Sequence, residues 1–177
     1  MDIRFNKFNK IIYKLLWVGV RLSKLVSQDL YLKLYQRLLS KFGMKIADRM
    51  GYIDPSAFFD NYDYSFITIG SNVTISREVL FLTHDFFISQ GLAASGKECG
   101  GYFMGKITIE DNCFIGARVT VLPNTHIGKN CIIGAGTVVK GKIEENSIML
   151  GNPARCIGHT DEWGNRHFQL KDYIPIQ

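Results

Sequence analysis

The sequence lacks the close pairs of cysteines from which structural zinc sites are built. Its four cysteines, Cys99, Cys113, Cys131 and Cys156, are separated by 14, 18 and 25 residues, and no CxxC motif occurs. Scattered cysteines of this kind predict free thiols in a reducing compartment rather than a zinc site. No small-residue cleavage motif follows a clean apolar run, so we expect no cleaved signal peptide and a cytoplasmic protein.

Long apolar runs are also absent from the N-terminal part of the chain, although that part is rich in aliphatic residues. Its longest stretch without a charge, between the flanking lysine and arginine, is the six residues 15–20. A membrane-spanning helix needs about 18–20 apolar residues. The segment therefore is not expected to cross a bilayer.

Positive charge is scarce in the main part of the chain. Residues 50–177 contain 10 lysines and arginines against 13 aspartates and glutamates, a net charge of −3. Residues 1–49 contain 11 against 3, a net charge of +8. Because nucleic-acid binding requires clustered positive charge, the net-acidic body argues against nucleic acid as the main ligand.

The basic N-terminal segment, residues 1–50, has the pattern of amphipathic helices. Its apolar residues recur at positions 8, 11/12, 15, 18, 22 and 25/26, and the cations of the same helical period are Lys7, Lys10, Lys14, Arg21 and Lys24, with Trp17 among them. A second helical pattern, DLYLKLYQRLLSKFG, ends in Gly43. This pattern favours peripheral contact of residues 1–27 with an anionic membrane, at the inner face of the plasma membrane. Packing of both helices on the main domain is the alternative.

A six-residue repeat dominates the rest of the chain. Ile or Val recurs without a gap at 109, 115, 121, 127, 133 and 139, and the same interval joins Ile69, Ile75 and Phe81. Six residues fit a short strand and a corner, so three units predict one coil of a parallel β-helix with the lead residue inside. The position four residues after the lead is small or β-branched, which places Cys113 and Cys131 in the core.

This repeat, its interruption at THD and the ending IIGAGTVVKGKIEENSIMLGNPARCIG resemble the hexapeptide-repeat acyltransferases. Similar proteins are the galactoside, maltose and streptogramin acetyltransferases and the O-acetyltransferases of bacterial capsule and lipopolysaccharide. The resemblance covers residues 51–158 and leaves residues 159–177 as a C-terminal tail. It implies an all-β fold built on a left-handed parallel β-helix, a homotrimer, and acetyl-CoA bound between neighbouring subunits.

His84 stands where the repeat stops, and a loop of about residues 87–106 follows before the repeat resumes. Acetyl transfer from a thioester to a hydroxyl needs a base that works near neutral pH, and histidine has a matching pKa. In the resembling family, the histidine at the start of this loop is the catalytic base, which assigns that role to His84. Asp85 could orient the imidazole or contact the acceptor, although a backbone carbonyl is as suitable an orienting group.

Both substrates have predicted contacts. The pantetheine arm of coenzyme A can form hydrogen bonds with the backbone of the coil where side chains are small. The resemblance places Ala117, Ala135 and Gly136 at such positions. It also matches Lys140 and Arg155 to cations that contact coenzyme A phosphates. For the acceptor, the stretch FFDNYDYSF combines aromatic and carboxylate groups suited to sugars, with Asn61 and Asp63 as the predicted contacts.

The sequence predicts an acetyl-CoA-dependent O-acetyltransferase acting on a saccharide, a building block of a capsule, O-antigen or other cell-surface polysaccharide. An N-acetyltransferase on an amino-sugar nucleotide could use the same base and fold, and a non-catalytic β-helix scaffold is the alternative of another class. The γ-class carbonic anhydrases share the fold but need three histidines at a metal. Only His84 and His126 could serve here, so we expect no metal.

Overall fold

The computed structural model describes residues 7–60, 63–97 and 100–175, and the side chains from residue 12 onward. Within these residues the chain forms the α-helices α1 (Lys7–Ser23), α2 (Gln28–Lys41), α3 (Phe87–Ala94) and α4 (Thr160–Leu170). The strands are β1 (Lys45–Ile46), β2 (Tyr52–Ile53), β3 (Phe58–Phe59), β4 (Ile67–Ile69), β5 (Thr74–Ile75), β6 (Leu80–Phe81), β7 (His84–Asp85), β8 (Phe103–Met104), β9 (Ile107–Ile109), β10 (Phe114–Ile115), β11 (Thr120–Ile127), β12 (Ile132–Ile133), β13 (Val138–Ile143), β14 (Ser147–Leu150) and β15 (Arg155–His159).

The strands of the repeat wind into a coil of parallel sheets, as the six-residue period predicts. Ile115 lies beside Ile133, Val121 beside Val139, and Ile109 beside Ile127. Each pair is three hexapeptide units apart, so three units complete one coil. The lead residues of the repeat are buried and form a continuous core along the coil axis. This parallel coil fits the left-handed β-helix that the resemblance implies.

The corners of the coil depend on left-handed backbone conformations. At most corners the residue three positions after a lead has positive φ. At one corner a stack of asparagines adopts this conformation: Asn72, Asn112, Asn130 and Asn146, with φ of 55°, 58°, 57° and 57°. Asparagine is among the few residues with a side chain that adopt this region readily. The side-chain amides donate along the stack over 3.1, 3.3 and 2.9 Å, so the ladder joins consecutive coils.

The small position of each repeat is buried, as expected. The Cys113 thiol donates to the Gly128 carbonyl over 3.1 Å, and the Cys131 thiol donates to the Glu144 carbonyl over the same distance. Both side chains are buried and unoxidised. The hydrogen bonding to the neighbouring Cys131, together with burial, raises the pKa of the Cys113 thiol. These cysteines therefore pack the interior of the coil.

The coil begins earlier than residue 51, the boundary that the sequence predicts. Strand β1 pairs in parallel with β4, with Ile46 beside Ile69, so the first coil already includes Lys45. At the other end, β15 turns back antiparallel along β14 and closes the sheet. The predicted C-terminal tail contains α4. The all-β description therefore holds for the coil, whereas the chain as a whole also carries helices.

The N-terminal helices pack on the open end of the coil through aromatic side chains. The Trp17 and Tyr35 ring centroids lie 4.3 Å apart, and the Tyr13 ring stands edge-on to Phe42 at 4.9 Å. The Tyr31 hydroxyl donates to the Ile53 carbonyl over 2.8 Å, which ties α2 to β2. These contacts confirm that the helices pack on the main domain. None of the helices in the described part of the chain is long and apolar enough to cross a membrane.

The interruption of the repeat is more ordered than the loop that the sequence predicts. Strands β7 and β8 form an antiparallel ribbon, with His84 beside Met104, and α3 lies between them. The Gly105 amide donates to the Thr83 carbonyl over 2.9 Å, so the insertion leaves and re-enters the coil at one point. A Cβ on Gly105 would lie 2.3 Å from the backbone nitrogen of Asn124, so only glycine fits at this position. The inserted segment is therefore residues 84–104 rather than about 87–106.

Candidate active site

His84 lies at the base of the inserted ribbon, facing a carboxylate from the preceding coil. Strand β3 pairs with β6, and the Asp60 amide donates to the Phe81 carbonyl over 2.9 Å. This register brings the Asp60 side chain next to the first residues of the insertion. The His84 Nδ1 and Asp60 Oδ2 atoms are in hydrogen-bond contact.

Asp60 is a buried carboxylate with several donors. Its side chain is only 7% exposed. The Thr83 amide and the Thr83 hydroxyl both donate to Asp60 Oδ2, each over 3.1 Å. Donors of this kind stabilise the ionised form of a buried carboxylate. Thr83, itself fully buried, therefore holds the Asp60 carboxylate in position against His84.

The contact with Asp60 determines the tautomer of His84. An ionised carboxylate can only accept hydrogen bonds, so the proton of the neutral imidazole lies on Nδ1. The lone pair is then on Nε2, at the other edge of the ring. A histidine held in this tautomer by a carboxylate is arranged to take a proton through Nε2.

Aromatic side chains of the insertion surround the imidazole. The Phe86 and Tyr102 rings stand edge-on to His84, with ring centroids 5.6 and 6.3 Å away, and they contact each other at 5.7 Å. Both are exposed on their outer sides. The site therefore combines an oriented base with exposed aromatic surfaces, the groups against which a sugar ring can stack.

The predicted acceptor contacts are engaged locally in the structure. Asp63 Oδ1 accepts from the Ser65 amide over 2.9 Å and caps a 3₁₀ turn, Tyr64–Phe66. Asp85 Oδ1 accepts from the Phe87 amide over 3.2 Å, at the start of α3. Asn61 lies outside the described residues. Asp63 and Asp85 therefore have structural partners, and the carboxylate that reaches His84 is Asp60, which the sequence analysis did not single out.

Three of the predicted donor residues come together on the coil surface. Ala117, Ala135 and Gly136 line a depression of about 630 Å³, together with Arg77, Glu78 and Arg118. Gly136 has φ of +71°, a conformation that side chains rarely adopt, and a Cβ there would meet nothing within 4 Å. Two alanines and a glycine leave the backbone accessible along this depression, as pantetheine binding requires.

The cations at this depression differ from those predicted. Arg77 and Arg118 line it, and Arg118 Nε donates to Glu78 Oε2 over 2.7 Å. Lys140 lies on β13 and Arg155 begins β15, and both are exposed but do not line the depression. Both remain predicted contacts for coenzyme A phosphates. Arg77 and Arg118 are additional candidates, which the sequence analysis did not identify because they occupy ordinary surface positions of the repeat.

His126 takes part in a surface ion pair rather than in the His84 site. Its Nε2 lies 2.9 Å from Glu110 Oε1, and both side chains are partly exposed. Among the residues that the structure describes, no group of three histidine, cysteine, aspartate or glutamate side chains is placed to hold a metal ion.

Comparison with protein families matches residues 106–141 to the bacterial transferase hexapeptide model, described as six repeats. The chain carries the bacterial transferase hexapeptide repeat. The resemblance inferred from the spacing of isoleucine and valine is therefore confirmed. The matched residues run from just before β9 into β13, the most regular part of the hexapeptide coil, and include Ala117, Arg118, Ala135 and Gly136 of the depression.

Known acetyltransferases are similar in sequence to this hexapeptide-repeat chain. The galactoside O-acetyltransferase of Escherichia coli K12 is 33% identical over 111 residues, 63% of this chain and 52% of that protein. WbbJ of the same organism, assigned by name to O-acetyl transfer in lipopolysaccharide biosynthesis, is 31% identical over 96 residues, 51% of this chain and 49% of that protein. The chain thus spans about half the length of the curated relatives it matches.

A solved structure shows the same fold. A galactoside acetyltransferase in complex with coenzyme A aligns with a TM-score of 0.65 and 24% identity, covering 94% of this chain and 88% of that chain. The alignment extends over nearly the whole chain, so the likeness concerns the overall fold.

Proposed function

We propose that the protein is an acetyltransferase that moves the acetyl group of acetyl-CoA to a hydroxyl group of a saccharide. The observation that carries the proposal is the Asp60–His84 pair at the point where the insertion interrupts the hexapeptide coil. A coil with apolar residues inside and polar residues outside has no reactive group of its own. Chemistry therefore belongs at this interruption, where a buried carboxylate orients a histidine.

In the proposed reaction, His84 Nε2 accepts the proton of the acceptor hydroxyl as the hydroxyl oxygen attacks the thioester carbonyl carbon. The carbonyl oxygen becomes an oxyanion in a tetrahedral intermediate. When the intermediate collapses, the C–S bond breaks, the ester carbonyl re-forms and the leaving sulfur takes the proton from the imidazolium. The products are the acetyl ester and coenzyme A, and His84 returns to its neutral form.

Asp60 contributes electrostatically to this cycle. While His84 carries the second proton, the imidazolium lies directly against the Asp60 carboxylate, which stabilises the positive charge. Thr83 donates two hydrogen bonds to that carboxylate and holds it in place. Asp60 thus positions the base and stabilises the charged form, whereas His84 alone exchanges a proton with the substrate.

The saccharide acceptor is supported by the surroundings of His84. The exposed rings of Phe86 and Tyr102 offer apolar faces next to the imidazole, as sugar-binding sites commonly do. The similarity to WbbJ supports a building block of a cell-surface polysaccharide as the acceptor. Because acetyl-CoA is a cytoplasmic metabolite, the proposal places the reaction in the cytoplasm.

The donor is proposed to lie along the coil corner at Ala117, Ala135 and Gly136, with cations at its phosphates. A homotrimer belongs to the same proposal. Its support is the pattern of large apolar side chains on the outside of the coil, where Phe58, Leu80 and Phe114 are all exposed in the single chain. Contact with neighbouring copies would cover such residues. It would also bring the depression at Ala117, Ala135 and Gly136 of one copy towards the His84 of another.

The test is to incubate the purified protein with acetyl-CoA and a panel of saccharides and to identify the products by mass spectrometry. The proposal predicts a saccharide product that has gained one acetyl group and loses it under mild base, because esters are hydrolysed there and amides are not. A base-stable product formed only from amino sugars would identify an N-acetyltransferase instead. Binding of coenzyme A without turnover of any acceptor would contradict the saccharide assignment.

A further inference from the structure

The outer face of α1 combines exposed aliphatic side chains with positive charge. Its inner face is occupied, because Tyr13, Trp17 and Val20 all belong to the core packing. Trp17 is therefore not available to enter a membrane, contrary to what the sequence pattern suggests. The remaining question is which partner the outer face of the same helix fits.

The outer face presents an uninterrupted apolar stripe. Leu15, Val18 and Leu22 are 69%, 56% and 59% exposed. Their spacing of three and then four residues places them on one side of an α-helix. Leu25 and Val26, in the turn after the helix, extend the stripe and are 85% and 79% exposed. Five contiguous exposed aliphatic residues on a single surface are unusual for a soluble face without a partner.

Cations border this stripe on one side. Lys14 and Arg21 are exposed and seven residues apart, two helical turns on one side of α1. Lys24 differs from them, since its ammonium donates to the Tyr52 hydroxyl over 2.9 Å and lies over the Tyr52 ring. Lys24 thus fixes the end of α1 to the coil. Lys14 and Arg21 are both exposed, and the Arg21 guanidinium lies over the Trp17 ring, 5.8 Å from its centroid.

The charge pattern distinguishes between candidate partners. Residues 1–49 carry a net charge of +8 and the rest of the chain −3. A second copy docked through the same face would bring no acidic side chain of α1 to Lys14 and Arg21, because α1 contains none. An anionic lipid surface offers the opposite charge at the headgroups and an apolar layer just below them. Such a surface therefore matches both the aliphatic side chains of the stripe and the cations beside it.

We propose that the outer face of α1 docks the protein on an anionic bilayer. The helix would lie in the plane of the interface, with Leu15, Val18 and Leu22 entering the boundary between headgroups and acyl chains and with Lys14 and Arg21 at the lipid phosphates. The inner face stays on α2, so docking needs no unfolding of the helix. This inference does not depend on the proposed catalytic activity.

Co-sedimentation of the full-length protein with vesicles tests the inference. Vesicles of phosphatidylcholine with phosphatidylglycerol should pellet the protein at low salt, and pure phosphatidylcholine vesicles should bind it weakly. The triple variant Leu15→Gln, Val18→Gln, Leu22→Gln should bind anionic vesicles on the order of a hundredfold more weakly, given the usual gain from burying such side chains. A matched control replaces the exposed Ile157, Phe168 and Leu170 with Gln and should bind like the wild type.

A second variant keeps the test decisive if the triple variant misfolds. Lys14→Gln with Arg21→Gln leaves the apolar stripe intact and should reduce both binding to anionic vesicles and its dependence on salt. Circular dichroism and coenzyme A binding check that each variant is folded. The inference fails if the wild type stays in the supernatant with anionic vesicles at low salt, or if both variants bind as the wild type does. It also fails if the triple variant alters only the oligomeric state, which would make this face a contact between copies.

Discussion

Replacing Asp60 with asparagine tests whether the buried carboxylate controls the base. The substitution keeps the size and shape of the side chain but removes its charge. The Thr83 amide, the Thr83 hydroxyl and His84 Nδ1 all contact the same oxygen, Asp60 Oδ2, so an asparagine that places its amide oxygen there still accepts from all three groups. The variant therefore keeps the orientation of the imidazole. It loses the negative charge that stabilises the imidazolium formed when His84 takes the proton of the acceptor hydroxyl.

The expected magnitude follows from the role of the base. A positioned general base typically contributes about 10²–10⁴-fold. Asp60→Asn keeps the base but removes the charge that stabilises its protonated form, so it should lower kcat by about 10²-fold, the lower end of that range. The KM for acetyl-CoA should hardly change, because Asp60 is not among the residues of the donor depression. Steady-state kinetics with saturating donor measure both quantities.

Asp63→Asn is the matched control. It removes a carboxylate three residues away, whose observed contact is the cap of a 3₁₀ turn, and asparagine is an equally good cap. Because Asp63 is also a predicted contact of the acceptor, its loss would act on the KM for the saccharide, and with saturating acceptor this variant should retain near-normal kcat. The reasoning would be refuted if Asp60→Asn turned over at the wild-type rate, or if Asp63→Asn lost as much kcat as Asp60→Asn.

Three further predictions concern the donor, the acceptor and the coil. Arg155→Ala should raise the KM for acetyl-CoA more than it lowers kcat, because the donor phosphates keep their charge during the reaction; an equal response with the 3′-dephospho donor would exclude contact with the 3′-phosphate. Phe86→Ala should raise the KM for the saccharide while leaving the KM for acetyl-CoA unchanged, and a parallel rise in both would contradict an acceptor surface. Asn130→Ala should lower the free energy of unfolding by about 1–2 kcal/mol, since it loses two ladder contacts and keeps a left-handed backbone. Asn130→Gly should lower the free energy of unfolding by a smaller amount, because glycine removes the backbone strain. Urea titration of both variants measures the difference.

The coil could be predicted from sequence because its signal is local and repeated. Each lead residue is six positions from the next and each points inward, so spacing alone reveals the period and the core. The asparagine corners carried a readable signal as well. Asn72, Asn112 and Asn130 stand three positions after a lead, and Asn146 stands three positions after Ile143, which lies beside the lead Ile127. Asparagine tolerates the left-handed backbone of this position.

Asp60 could not be predicted in the same way because its contact joins two coils. It is 24 residues from His84 in sequence, and the two meet only because β3 lies beside β6. Sequence reasoning instead considered Asp85, which is adjacent to His84 but is used to start α3. One sequence signal was available, since Asp60 directly follows Phe59, which stands six residues after Ile53, the interval of the repeat. In the structure the Phe59 ring stacks on Phe81 of the next coil at 4.7 Å.

The outward faces of the helices were only partly predictable. Helical spacing separates apolar from charged positions, but it does not tell which apolar residues a neighbouring element will cover. Trp17 and Leu15 both read as apolar positions near basic residues. In the structure Trp17 packs on Tyr35, whereas Leu15 is exposed, because α2 approaches α1 from one side only.

The most direct test of the central claim is the rate of acetyl-saccharide formation by His84→Ala, compared with His126→Ala as a histidine control. His126 is also on the coil surface and also paired with a carboxylate, Glu110, but it lies outside the inserted ribbon. We predict that His84→Ala lowers kcat by about 10²–10⁴-fold while folding and coenzyme A binding are retained, and that His126→Ala acts like the wild type. Near-normal turnover by folded His84→Ala under saturating donor would contradict the assignment of His84 as the base.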